Sequence, residues 1–107
     1  MNYIEHMNAI TFNALAEPSR LKIVELLRAQ PRSVNEVALL LGIRQPQASK
    51  HLHTLAEAGL VSKQPVAQQR IYALEPEPFL QLEDWANSFQ RFWDQRLDNL
   101  DHHLQKG

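Results

Sequence analysis

Apolar residues recur at helical spacing in five stretches of this chain and alternate with polar ones in a sixth, which sets the expected architecture. Ile4, Met7, Ala9, Ile10, Ala14 and Leu15 fit a helix over residues 3–15, low in polarity and without a strong start signal. Glu17-Pro18 marks a new start, with proline at the first helical position, where a missing amide costs little. Leu21, Ile23, Val24, Leu26 and Leu27 form a broad apolar face until Pro31 ends that helix. Residues 33–41 open on Ser33-x-x-Glu36, a capping box in which the hydroxyl and the carboxylate each satisfy one amide of the first turn. Val34, Val37, Ala38 and Leu41 make its stripe, Gly42 supplies the positive φ that ends it, and Ile43 tucks into the corner. A further helix starts at Arg44 or Gln45 with Pro46 in its first turn, and Gly59 closes it. Its buried stripe is Ala48, Leu52 and Leu55. The opposite side carries Pro46, Lys50, His53 and Glu57, flanked by Gln47 and Ser49.

The period then changes. Val61, Lys63 and Pro65 alternate with Leu60, Ser62 and Gln64, and Arg70 to Leu74 read as a second short strand, giving a β-hairpin with its tip near Val66 to Gln69. Pro65 fits only an edge strand or the tip. Glu75-Pro-Glu-Pro78 reads as a stiff connector. One helix then runs from Phe79 to Leu104, roughly 39 Å at about 1.5 Å per residue. Leu82, Trp85, Phe89, Phe92, Trp93, Leu97, Leu100 and Leu104 stripe it. A single domain of 107 residues has little surface left to bury that stripe, so it marks an interface. With Ile4 and Met7 of the first helix, Trp85, Phe89, Phe92, Trp93, Leu97 and Leu100 are expected to pair with a two-fold mate. The fold expected is mainly α with a small β-hairpin: one domain over 1–107, with a helix-turn-helix at 33–59, a wing at 60–74 and a long dimerisation helix at 79–104.

Composition narrows the function more by distribution than by total. The formal net charge is −1, yet residues 1–31 balance at 0, residues 32–74 carry +3 and residues 75–107 carry −4. The positive segment (Arg32, Arg44, Lys50, Lys63 and Arg70 against Glu36 and Glu57) holds the polar helix face described above. An amide, a hydroxyl, an ammonium and an imidazole on the free side of a short helix can read base edges and hold phosphates. Gln47 and Ser49 are placed to read bases, Gln being a natural bidentate partner of adenine. Arg44, Lys50 and Arg70 are placed to hold phosphates; Gln68, Gln69 and Arg70 extend the contact to flanking phosphates or a minor groove if the hairpin is a DNA-touching wing, the other reading being a hairpin that only caps the core. No apolar run approaches the roughly 18 residues of a membrane span, and the N-terminus carries no visible secretory signal. With no cysteine there is no disulfide and no thiolate metal site, so a reducing cytoplasm is the default. Without a Cys nucleophile, a Gly-rich phosphate loop or an acid pair in an evident pocket, an enzyme is not expected.

The stretches ALAEPSRLKIVELL, SVNEVALLLGIRQPQASKHLHTLAEAGLV and RIYAL, in that order, resemble the arsenic-repressor (ArsR/SmtB) family of winged helix-turn-helix regulators over about residues 8–100. The tail RFWDQRLDNLDHHL is similar to a cysteine-free subgroup of that family. The resemblance implies four helices, two strands and a last helix in that order, dimerising through the first and last helices. It implies a cytoplasmic homodimer repressing transcription at a palindromic double-stranded DNA operator, with Gln45, Gln47, Ser49, Lys50 and His53 facing DNA. It also sharpens the departures. Ser33 and Asn35 stand where the metal-sensing members carry Cys-x-Cys. Asp101-x-His103 matches only half of a second metal site of the family. No metal, no cofactor and no membrane partner is therefore expected, and the sequence names no small-molecule effector. Arg44 replaces the Ser or Thr that usually caps the reading helix, and Ala67-Gln68 replaces a Gly-Arg at the wing tip. Two other readings stay open. One is a winged-helix module that has lost DNA binding and holds a protein partner on its aromatic helix, which salt-independent or absent DNA affinity would favour. The other is a regulator that takes a small apolar ligand near Trp85, Phe89 and Trp93.

Overall fold

Ile23, Val37, Leu52, Leu55 and Leu60 are sealed from solvent, and the elements that carry them form the centre of the protein. The computed structural model describes the backbone of residues 3–106 and the side chains of residues 9–100. The element order is α1 (Tyr3–Leu15), α2 (Pro18–Ala29), β1 (Arg32–Ser33), α3 (Val34–Leu41), α4 (Gln45–Glu57), β2 (Val61–Val66), β3 (Gln69–Leu74) and α5 (Pro76–Lys106).

Local chemistry fixes the helix ends. The Glu17 carboxylate accepts the Arg20 amide at 2.9 Å, with Pro18 at the first helical position. The Ser33–Glu36 capping box forms in both directions, each bond 3.1 Å. Gly42 (φ 67°) ends α3, with Gly42 N–H donating to Leu39 C=O and Ile43 N–H to Ala38 C=O. Gly59 (φ 79°) ends α4 with the same pair of bonds, from Gly59 to Ala56 and from Leu60 to Leu55. This is the Schellman arrangement, and the left-handed backbone it needs is open to glycine. In both cases the next residue, Ile43 or Leu60, packs into or against the core.

Three features depart from the sequence pattern. A two-residue strand, β1, pairs antiparallel with β3 (Arg32 opposite Tyr72, Ser33 opposite Ile71), so the sheet has three strands in the order β1-β3-β2. Two residues between Pro31 and a helix cap are too few to show alternation. The Glu75–Pro78 stretch is not a connector outside the helix: α5 begins at Pro76. Its prolines fall in the first turn, whose amides have no partner in any helix, so they cost no ladder bond. Leu21, counted in the apolar face of α2, is 49% exposed, and the buried stripe is the narrower Ile23, Val24 and Leu27. Pro65 lies on the edge strand β2 opposite Arg70, a position that needs no further ladder donor.

Candidate nucleic-acid interface

Ala48, Leu52 and Leu55 are completely buried, and they press one side of α4 onto the core. The other side is thereby forced outward. Arg44, Gln45, Gln47, Ser49, Lys50 and His53 are all exposed. Around the helix, Gln45 and Ser49 sit one turn apart on the edge nearest the wing. Gln47 lies about 160° round from Ser49, with Lys50 between them.

The edge nearest the wing opens onto a polar cleft of about 270 Å³, lined by Ser33, Val34, Asn35, Gln45, Ser49, Gln68, Gln69, Arg70 and Tyr72. Five of the residues singled out from the sequence, Gln45, Ser49, Gln68, Gln69 and Arg70, meet here. Arg44, Gln47, Lys50 and His53 do not line the cleft and occupy the outer face of the same helix. Asn35 and Tyr72 were not singled out. They reach the cleft because β1 ties the start of α3 to the wing strand β3, a pairing the sequence pattern does not reveal.

The hydrogen bonding of this face is specific. Arg44 precedes the first turn of α4, but a guanidinium has no acceptor and cannot cap. Only the reciprocal half of a capping box is made: the Arg44 amide donates to Gln47 Oε1 at 3.3 Å. The Arg44-x-x-Gln47 spacing is readable in the sequence, but an arginine in the cap position hides it. His53 Nε2 lies 3.3 Å from a Glu57 carboxylate oxygen on the same helix. His51, by contrast, turns inward, 3.9 Å from the Glu17 carboxylate at the start of α2.

Charge on this side is thinner than the sequence count. Arg32 donates from Nε to the Leu26 carbonyl at 3.0 Å, closing the C-terminal end of α2, where a cation is favoured. Among the described residues, Arg44, Lys50 and Arg70 have no acidic partner, so their charge faces solvent. The wing tip is a two-residue turn, Ala67-Gln68, between the paired residues Val66 and Gln69. Ala67 takes φ 55°. A positive φ at only the first turn position is the type II′ pattern, which favours glycine there.

At the far end of the molecule α5 leaves the core. Trp85, Phe89, Phe92, Trp93, Leu97 and Leu100 are between 45% and 58% exposed in the single chain. Phe12 of α1 joins this surface, its ring 5.1 Å from Trp85, which stacks edge-on to Phe89 at 5.0 Å. Ile4 and Met7, expected on the same face, lie outside the described side chains, as do Asp101, His102 and His103.

A family model described as "Helix-turn-helix domain" matches residues 15–64. The chain is similar to the HTH-type transcriptional regulator Rv2034 of Mycobacterium tuberculosis, 36% identical over 86 residues that cover 80% of this chain and 78% of that protein. It is similar to a crystal structure of an ArsR family transcriptional regulator, RHA00566, with a TM-score of 0.71 and 33% identity, covering 87% of this chain and 95% of the other. A solution structure from Mycobacterium bovis, described as the homodimeric winged helix-turn-helix DNA-binding domain of a possible ArsR-family regulator, aligns with a TM-score of 0.67 and 27% identity over 80% of each chain.

Proposed function

Because the chain belongs to the ArsR family of winged helix-turn-helix transcriptional regulators, we propose that it is a DNA-binding homodimer that represses transcription by occupying an operator. The observation that carries this reading is the outward face of α4 beside the wing: polar, with Arg44, Lys50 and Arg70 lacking an acidic partner among the described residues and Gln45 and Ser49 opening onto the same cleft. In this reading α4 lies in the major groove. Gln45, Gln47 and Ser49 touch base edges. Arg44, Lys50, His53, Gln69 and Arg70 reach phosphates or the flanking groove.

Dimerisation rests on the exposed aromatic stripe. A compact chain of this length has a radius of gyration of about 13 Å, whereas this one has 18.9 Å and measures 69 Å along its longest axis. The excess length is α5, and the side it holds out is apolar. A second copy seated there removes that surface from water and places two α4 helices about 34 Å apart, one turn of DNA. The homodimeric M. bovis relative supports the same assembly.

The function is tested by selecting duplexes from a random library with the purified full chain and titrating the winner against a scrambled duplex at 50 and 200 mM salt. Three cations from each copy, Arg44, Lys50 and Arg70, neutralise about six phosphates, so affinity for the selected duplex should fall about 10³-fold across that range. Equal affinity for both duplexes, or binding indifferent to salt, favours instead a winged-helix module that serves a protein partner.

A further inference from the structure

We propose that Gln47 reads DNA by donation alone, so that the base beneath it in each half-site is guanine rather than adenine. The inference rests on the reading of α4 as the recognition helix and adds what one of its side chains recognises. Glutamine pairs with adenine through two groups at once. Its Oε1 accepts from the adenine N6 amine and its Nε2 donates to N7. In this protein Oε1 has another task. The residue before α4 is Arg44, which has no acceptor with which to cap the helix, and its own amide is bonded to Gln47 Oε1 at 3.3 Å. A backbone N–H can only donate, so the side-chain atom facing it must be the oxygen. The Nε2 group is thereby turned away from the helix end and outward from α4.

With the carbonyl turned to the helix end, the two Nε2 hydrogens are what Gln47 holds outward, and they suit a base edge that offers acceptors. Guanine presents O6 and N7 side by side. Thymine offers O4 alone. Adenine sets an N6 donor beside its N7, and cytosine offers only an N4 donor. The order expected at the Gln47 position is guanine, then thymine, then adenine and cytosine. The cause lies in the spacing: as the third helical residue Gln47 reaches back to the Arg44 amide, as Glu36 does to the Ser33 amide, while the Arg44 guanidinium has no acceptor to offer this helix end.

The test measures the full-length chain against every single-base variant of its selected operator, beside Gln47→Glu and Gln47→Ala. Glutamate keeps an acceptor for the Arg44 amide but has no hydrogen to donate, and alanine has neither. Ratios between bases are compared within each variant, so the added charge of glutamate cancels. The wild type should prefer guanine over adenine by about tenfold at one position per half-site. Gln47→Glu should abolish that preference and favour cytosine, and Gln47→Ala should level the four bases. A Gln47-dependent preference for adenine overturns donor-only reading and leaves the recognition helix in place. If Gln47→Ala alters no position while Lys50→Ala still weakens binding, Gln47 reads no base and the inference falls alone. If the wild type discriminates between no bases at all, the recognition-helix reading falls with it. Thermal unfolding of each variant accompanies the titrations, and Gln47→Glu, which retains the cap, should melt as the wild type does.

Discussion

Lys50 stands at the centre of the outward face of α4, between Ser49 and Gln47 and without an acidic partner among the described residues. In the function proposed above Lys50 holds phosphates, contacts that carry no sequence information. Lys50→Ala should therefore weaken every duplex by a similar factor. With one lysine lost from each copy, the slope of log affinity against log salt should become shallower by about 1.8. A loss confined to one operator base would show instead that Lys50 reads. A second residue carries strain. Ala67 holds φ 55° at the wing tip, a conformation that costs an L-residue about 1–2 kcal/mol. Ala67→Gly should relieve it, and after the added flexibility of glycine in the unfolded chain a net gain of up to about 1 kcal/mol should appear in denaturant unfolding. The sequence already flagged both residues, Lys50 from its helical position and Ala67 from the missing Gly. It did not show that Gln47 is tied to the Arg44 amide, because a cap bond made by the third helical residue depends on a rotamer as well as on spacing.

At the scale of elements, periodicity located all five helices and the hairpin because each carries an apolar side, which the core covers in α2, α3 and α4 and the single chain leaves exposed along α5. The ends were legible where a dedicated residue makes them: Ser33 with Glu36, Gly42, Gly59 and Pro18. They were not legible where context decides. Pro76 and Pro78 look like helix breakers, yet in a first turn they break nothing, and α5 gains three residues at its start. Strand β1 exists only because β3 passes beside it. The same helix shows the limit of patterning in another way. A stripe along α5 says that something covers it, and the exposure of Leu97, 58% in the single chain, leaves that cover to a second chain. Leu97→Asp should leave the protomer folded, since Leu97 is not part of the buried core. A carboxylate in a dimer seam has to be desolvated without a partner, at a cost of a few kcal/mol. The dimer should weaken by about 100-fold or more. Sedimentation velocity reads the change, and an unchanged dimer mass would move the interface off this part of α5.

Taken whole, the molecule separates its tasks along its length. The segment 32–74 carries the +3 balance and forms the helix-turn-helix and wing, while 75–107 carries −4 and forms the long helix. In the proposed complex an acidic α5 held away from the outward face of α4 keeps its charge from opposing DNA. With few cations per copy, useful affinity at physiological salt needs both copies on one duplex. The most direct test is the stoichiometry and symmetry of binding: sedimentation of a labelled duplex carrying the complete selected operator, beside one with a single half-site scrambled. Two chains should bind the complete operator together. Scrambling one half-site should lower the affinity by several orders of magnitude, since each half-site contributes its own base contacts. A single chain bound to either duplex with equal affinity would contradict a dimer that presents α4 twice.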